Sequence, residues 1–237
     1  MGDLEVLLEV QAHDTTTDQL QHRRSTLPER TELEDLLRER ATAKAELKRI
    51  DAELEAAESR RTALEGEVSE ADARISSIEG RMFGGTVTSS KELESMAAEV
   101  DSLKSRRSGL EDEALEAMEA AEAVRTEKDR ALGADAARVA AIAGAEARLA
   151  DSEAGVDALI EVEQTARASL VATIAPDLLT AYERIRTKLG GIGAARLEGD
   201  RCTGCHLSLP SGEVERLRHE PADAITYCDN CSRILVR

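Results

Sequence analysis

Aromatic residues are almost absent from this chain of 237 residues, which has no Trp, one Phe (Phe83) and two Tyr (Tyr182 and Tyr227). A rounded core of this chain length normally draws much of its buried area from aromatic rings, so the shortage argues against a single large globular core. Proline is nearly as scarce, at positions 28, 176, 210 and 221 only, and leaves long stretches free to run as helix. No segment approaches the 18 or so consecutive apolar residues that a membrane helix needs. The opening MGDLEVLLEV carries acidic residues where a secretory signal needs a basic start. These absences predict a soluble, cytoplasmic chain with no membrane contact. Cysteine is missing from everything before residue 202.

Charge is abundant: 33% of the residues are Asp, Glu, Lys or Arg, and the net charge is −17. That balance argues against a protein that coats nucleic acid or anionic membrane with its whole surface. Ala, Glu, Leu, Arg and Asp dominate, as they do in long helices and coiled coils. A charged, disordered chain has a similar composition, and periodicity separates the two. Leu47, Ile50, Leu54, Ala57, Leu64, Val68, Ala71, Ile75, Ile78 and Met82 recur three and four residues apart, interrupted once by Arg61. A second seam runs from Leu93 through Met96, Val100, Leu103 and Leu110 to Val124, with Arg107 within it. Its seven-residue phase lands again on Ile142, Leu149, Val156 and Leu170, so one helix is expected over most of residues 89–173. Gly133, Gly144 and Gly155 weaken that helix by roughly 1 kcal/mol each and are the places where it would break.

Between the seams lies FGGTVTSS, residues 83–90, followed by a reading of SSKE as a capping box with Ser89 and Glu92 as partners. The chain is expected to reverse there and form an antiparallel hairpin, with arms of about 80 Å at the helical rise of 1.5 Å per residue. Phe83, Gly84, Gly85 and Val87 form the expected tip. Exposed Phe83 and Val87 there suit contact with a protein partner. Pro28 sets apart an N-terminal helix over residues 3–25, whose apolar positions (Leu4, Leu7, Leu8, Val10, Leu20) are sparse and whose natural partner is the far end of the return helix. Pro176 and the pair Gly190 and Gly191 bracket a final helix over 175–189.

All four cysteines fall in two pairs, Cys202-x2-Cys205 and Cys228-x2-Cys231, separated by 22 residues. Two such knuckles facing each other supply the four soft ligands of a tetrahedral zinc site, and a full shell of thiolates leaves no position open for catalysis. Two matched pairs without a thioredoxin-like strand pattern argue against redox work. Four thiolates hold iron as well as zinc, and one structural Zn²⁺ is the assignment. His206, next to the first knuckle, is assigned to the surface. A short helix from Ser211 or Gly212 and strands in AITYC and RILVR complete a small ribbon.

From Gly190 onward six basic residues face seven acidic ones, a poor balance for gripping phosphates. A local group of Arg184, Arg186, Lys188, Arg196 and Arg201, with Tyr182 for stacking, still offers a nucleic-acid surface for RNA or DNA. The expected architecture is therefore mostly α: a long antiparallel coiled-coil hairpin over residues 1–189 with a small C-terminal β zinc ribbon over 190–237. No catalytic constellation of side chains is visible, and the leading expectation is a non-enzymatic adaptor. A nucleic-acid-binding regulator is the alternative.

The stretches RMFGGTVTSSKELESMAAEV, YERIRTKLGGIGAARLEGDRCTGCHLSLP and YCDNCSRILVR resemble the bacterial C4-type zinc-ribbon coiled-coil family. The resemblance implies an elongated helical hairpin carrying a zinc ribbon, with Cys202, Cys205, Cys228 and Cys231 as the ligands. It also implies adaptor or chaperone roles of the kind linked in relatives to flagellar or type III secretion and to sigma-54, with messenger RNA binding attributed to the family too. Polymerase secondary-channel factors have a similar outline but carry acidic tips, and the tip here has none. Zinc hooks carry a single cysteine pair at the tip of the coil, whereas these cysteines lie far from it in sequence.

Overall fold

A computed structural model describes residues 2–85, 87–221 and 223–237; Thr86, inside the expected tip, lies outside the described residues. The elements run α1 (Asp3–Ser25), α2 (Pro28–Phe83), α3 (Ser90–Val171), α4 (Pro176–Lys188), β1 (Ala194–Glu198), β2 (Arg201–Cys202), α5 (Ser211–His219) and β3 (Ile234–Val236). They form two compact units: residues 33–144, and residues 1–32 together with 145–237. The boundary expected between residues 189 and 190 falls inside the second of these.

Within residues 33–144, α2 and α3 lie antiparallel. Ion pairs join them in order away from the turn: Glu79 with Lys104 at 2.7 Å, Asp72 with Arg107 at 2.8 Å, Glu58 with Arg125 at 2.6 Å, Asp51 with Lys128 at 2.7 Å and Asp135 with Arg40 at 3.2 Å. The seam read from the sequence is the buried one. Ile75, Ile78, Met96 and Val100 pack as a cluster nearest the turn, and Leu64, Leu110 and Ala117 form another further along. Arg61 and Arg107 interrupt it as expected, each half-buried with its guanidinium turned to an acid one turn on, Glu65 or Glu111. The glycines do not break α3, which is a single helix of 82 residues. Each costs about 1 kcal/mol in isolation, less than the packing of a neighbouring buried Ile or Leu returns. The helix starts at Ser90, with the Ser89 carbonyl accepting the Leu93 N–H at 3.1 Å. Among the described residues, Ser89 and Glu92 make no side-chain capping bond, so the expected capping box is not formed.

The other unit is built around a three-stranded sheet in the order β2-β1-β3. β1 pairs antiparallel with β2 and parallel with β3, with Ala194 opposite Ile234 and Ala195 opposite Leu235. Alternation along the strands sends neighbours to opposite faces. Ala194, Ile234 and Val236 join Leu4, Leu7 and Val10 of α1 and Leu178, Tyr182 and Ile185 of α4 in one core. Ala195 and Leu235 face the other way, against Cys202, Cys228, Leu209, Val214 and Leu217. The sheet is thus covered on both faces, which explains why all three residues of β3 are buried and apolar. Of the two strands expected beside the second knuckle, RILVR supplies β3, whereas AITYC forms only the single bridge from Tyr227 to Ile234. β1 and β2 were not expected.

α1 lies along the end of α3, as expected. Arg24 donates to Asp157 at 2.7 Å and His13 contacts Glu163 at 2.6 Å. Its buried face is half polar: Leu4, Leu7 and Val10 give way to Gln11, Asp14 and Thr17. Gln11 is the hub of the junction with β1. Its carbonyl accepts the N–H groups of Gly193 at 2.7 Å and Ala194 at 3.2 Å, and its amide donates to the Gly191 carbonyl at 3.0 Å. The Tyr182 hydroxyl donates to Asp14 at 2.6 Å, and Arg167 donates to the other oxygen of the same carboxylate at 2.6 Å.

Candidate metal centre

Two backbone knuckles of the same build present the four cysteines. In the first, the Cys202 N–H donates to the Leu207 carbonyl at 3.1 Å and the His206 N–H returns to the Cys202 carbonyl at 2.8 Å. In the second, Cys228 N–H donates to Arg233 at 2.9 Å and Ser232 N–H returns to Cys228 at 2.7 Å. The residue after each second cysteine, His206 or Ser232, takes a left-handed conformation with φ of 63° or 61°. Each knuckle is fastened to the sheet by a threonine. Thr203 Oγ1 accepts the Arg196 N–H at 2.9 Å, and Thr226 Oγ1 donates to the Leu235 carbonyl at 2.8 Å. Gly204 fits because it has no side chain: a Cβ there would lie 2.7 Å from Arg233 Cδ and 2.9 Å from Ala195 Cβ.

The four Sγ atoms lie within 4.8 Å of one another, with Cys202 to Cys231 at 4.0 Å and Cys205 to Cys228 at 3.9 Å. All four cysteines are free. A tetrahedral zinc ion with bonds of about 2.3 Å needs edges of about 3.8 Å, so the cluster fits one ion with little adjustment. Cys202 and Cys228 are buried, while Cys205 and Cys231 are half-buried. Burial pushes the Cys202 thiol up, and the Cys228 thiol up to about 12. Cys231 is also raised by burial, but hydrogen bonds from the Arg233 backbone and side chain and from its cysteine neighbours hold it lower, at about 7. Four thiolates gathered in one buried spot need a compensating divalent cation. His206 is exposed and is not part of the cluster.

The other expected site residues are dispersed. Phe83 is 83% exposed, beside Gly84 and Gly85, the latter with φ of 73°. Val87, expected to be exposed as well, is half-buried against Ile75, Ile78, Met96 and Val100, because the chain leaving the turn drops it onto the end of the seam. The proposed stacking role of Tyr182 is corrected: its ring is fully buried and its hydroxyl is engaged with Asp14. Burial and the adjacent carboxylate push that phenol well above its ordinary range, so it remains a donor. The basic group does not converge either. Arg186 pairs with Asp18 at 2.7 Å, Arg196 with Glu5 at 2.8 Å, and Arg201 donates to the His206 carbonyl at 2.9 Å. Only Arg184 and Lys188 stay together, exposed on α4. They line a groove of about 530 Å³ with Ile185, Leu189, Tyr227, Cys231 and Ser232. Tyr227, the second knuckle's neighbour, is 40% exposed, and only its packing in the fold, not its place in the sequence, brings it beside Arg184 and Lys188.

Comparison with known proteins supports this architecture. Residues 10–190 match the family described as CT398-like coiled coil hairpin domain, and residues 201–235 match the C4-type zinc ribbon domain. The chain belongs to the CT398-like hairpin family. A structure from Mycobacterium smegmatis matches over 100% of both chains with a TM-score of 0.88 and 24% identity. The structure of CT398 from Chlamydia trachomatis matches 99% of this chain and 97% of its own, with a TM-score of 0.73 and 18% identity. At those identities the likeness concerns the fold. Uncharacterized proteins of two Mycobacterium tuberculosis strains, CDC 1551 and H37Rv, are 36% identical over 123 residues, 52% of this chain. The chain spans about half the length of these curated relatives. The hairpin family and the ribbon indicate no catalytic family. No helix among the described residues is long and apolar enough to cross a membrane.

Proposed function

We propose that this member of the CT398-like family is a non-enzymatic adaptor that engages a protein partner through the hairpin tip, with the zinc ribbon as a rigid second surface. The observation that carries the reading is Phe83, the sole phenylalanine of the chain, held 83% exposed at a glycine turn. An aromatic ring held in water at a turn is free to enter a partner's pocket, where aromatic anchors carry much of the energy of an interface. Replacing Phe83 with a photoreactive phenylalanine analogue in the native host tests this. A discrete protein adduct, absent when the analogue stands at exposed Glu94 and lost on competition with unlabelled wild type but not with Phe83→Ser, supports the tip. The same adducts from both positions, or none, would overturn it.

The groove favours a second reading, binding of RNA or DNA beside the ribbon. Arg184 and Lys188 have no ion-pair partner among the described residues, and Tyr227 beside them offers a ring face. Cations that neutralise phosphate and an aromatic that stacks on a base are the two parts such a site needs. Fluorescence anisotropy with mixed-sequence single-stranded RNA and duplex DNA at two salt concentrations tests it. Binding that weakens with salt, and that falls in an Arg184→Glu, Lys188→Glu variant, supports the groove. Absence of binding removes this reading.

A further inference from the structure

The sheet keeps one open edge. On the side of β3 away from β1 runs the extended segment of residues 225–228. It is joined to β3 by the Cys228 N–H, which donates to the Arg233 carbonyl at 2.9 Å, and by the Leu235 N–H, which donates to the Thr226 carbonyl at 2.8 Å. These bonds flank the bridged pair of Tyr227 and Ile234, so Tyr227 turns its own N–H and C=O away from β3. Burial alternates along the segment: Ile225 is 38% exposed, Thr226 7%, Tyr227 40% and Cys228 1%. Ile225 therefore shares the side of Tyr227. Among the described residues, the backbone N–H and C=O of both have no hydrogen-bond partner. Open edges are usually blunted by charge, proline or a covering element. Here Asp223 and Asp229 bracket the edge, Asp229 attracts Arg216 of α5 on the other face, and the middle offers an isoleucine and a tyrosine. Tyr227 stands opposite Ile234, which enters the core shared with α4, so the exposed side chains of the edge lie on the α4 side. The groove there has Ile185 and Leu189 along it, with Arg184 and Lys188 four residues apart on one helix face, and no carboxylate among the described residues lines it.

We propose that this edge and groove dock an extended, acidic segment of a protein partner, which joins the sheet as a further strand beside residues 225–227. The proposal gives the ribbon surface of the adaptor reading its partner chemistry, and it rests on that reading. The partner's backbone pairs with the outward N–H and C=O groups of Tyr227 and Ile225, while every second side chain turns toward α4. An apolar side chain there covers Ile185, Leu189 and the Tyr227 ring. A carboxylate there meets Arg184 or Lys188, which have no ion-pair partner among the described residues. Nucleic acid suits the same place less well. It has no alternating row of donors and acceptors to match a strand edge. Asp223, Asp229 and a net charge of −17 also repel a polyanion more than a segment with one or two carboxylates.

Selection of random phage-displayed heptapeptides against the full zinc-loaded chain, followed by fluorescence anisotropy with the enriched peptides, tests the proposal. The expected peptides carry Asp or Glu among alternating apolar residues and bind with a Kd on the order of 10 μM. Their binding slows amide exchange at Ile225 and Tyr227, as a strand added at this edge requires. N-methylation walked along the peptide abolishes binding at every second amide and spares it at the others, a readout that needs no altered protein. Arg184→Glu with Lys188→Glu weakens binding about tenfold. Tyr227→Pro, which removes a donor that β3 does not use, abolishes it. Failure of any peptide to enrich, binding without exchange protection at Ile225 and Tyr227, or indifference to N-methylation overturns the proposal, as does single-stranded RNA held in the groove while every peptide fails. None of these variants touches Phe83, so the crosslink from the tip succeeds or fails independently.

Discussion

His206 and Ser232 stand where the knuckle geometry asks for a left-handed residue, at φ of 63° and 61°. A side chain in that region costs about 1–2 kcal/mol, and glycine avoids it at an entropic cost of about half as much. Ser232→Gly keeps the Ser232 N–H bond to the Cys228 carbonyl and should raise stability by about 0.5–1 kcal/mol, measurable by denaturant melts of the zinc-loaded protein. Gly204→Ala acts in the opposite direction. Its Cβ pushes Arg233 away from the Ile192 carbonyl, to which its Nε donates at 3.0 Å, and from Cys231. Overpacking of this kind costs about 1–3 kcal/mol, and the expected outcome is weaker zinc retention in competition with a chromophoric chelator. The cysteine spacing announces the ligands, whereas serine carries no signal for a left-handed backbone and histidine only a modest enrichment there. The knuckle closes its hydrogen bonds whatever side chain is there, and the chain accepts the strain.

At the scale of elements, α1 shows how a functional-looking pattern and a structural one exchange places. Its face against α4 and β1 continues from Leu7 and Val10 into Gln11 and Asp14, so hydrophobic periodicity fades just where the packing is tightest. Gln11→Leu leaves the N–H groups of Gly193 and Ala194 buried without an acceptor. At about 1–3 kcal/mol for each unsatisfied group, the substitution should cost about 3 kcal/mol and lower the melting temperature by several degrees. Tyr182→Phe removes one donor from the Asp14 carboxylate, which keeps its bond from Arg167, so the loss should be smaller, about 1 kcal/mol. The Gln11→Leu, Tyr182→Phe double variant should cost less than the sum of the two, since Tyr182 also touches Gln11 at 3.2 Å. Long seams such as α2 and α3 were legible because one heptad phase persists for many turns. A buried polar network leaves no such repeat, since its partners come from α1, α3, α4 and β1.

At the scale of the whole molecule, the zinc centre with α5 and the pair of helices α1 and α4 stand on opposite faces of one thin sheet. Metal binding in small ribbons contributes on the order of 10 kcal/mol to folding. Stripping zinc with a chelator should therefore raise amide exchange in residues 194–236 and also in α1 and α4, which share the core of Leu7, Tyr182, Ile234 and Val236. Exchange in the seam of residues 33–144 should change little, because that unit buries its own clusters around Ile75 and Leu64. Loss of protection confined to residues 194–236 would show instead that the helical core stands without the metal. Because each cysteine thiol must release its proton to solvent before its sulfur binds the ion, acidification should release zinc, and Cys228, whose thiol burial pushes up to about 12, opposes metal uptake.

The sequence by itself determined the hairpin, its turn near Phe83 and the four metal ligands. Heptad phase, glycine pairs and CxxC spacing are local signals, each complete within one segment. Only the tertiary structure decided that β1 and β3 lie parallel with both faces covered, that Tyr182 is a core donor while Tyr227 lines a groove, and that the basic residues part company. Those outcomes depend on which distant segment fills each face. Residues 11 and 193, or 5 and 196, become neighbours only when apolar burial closes a loop of nearly the whole chain, and side-chain hydrogen bonds then form with whatever that closure brings within reach.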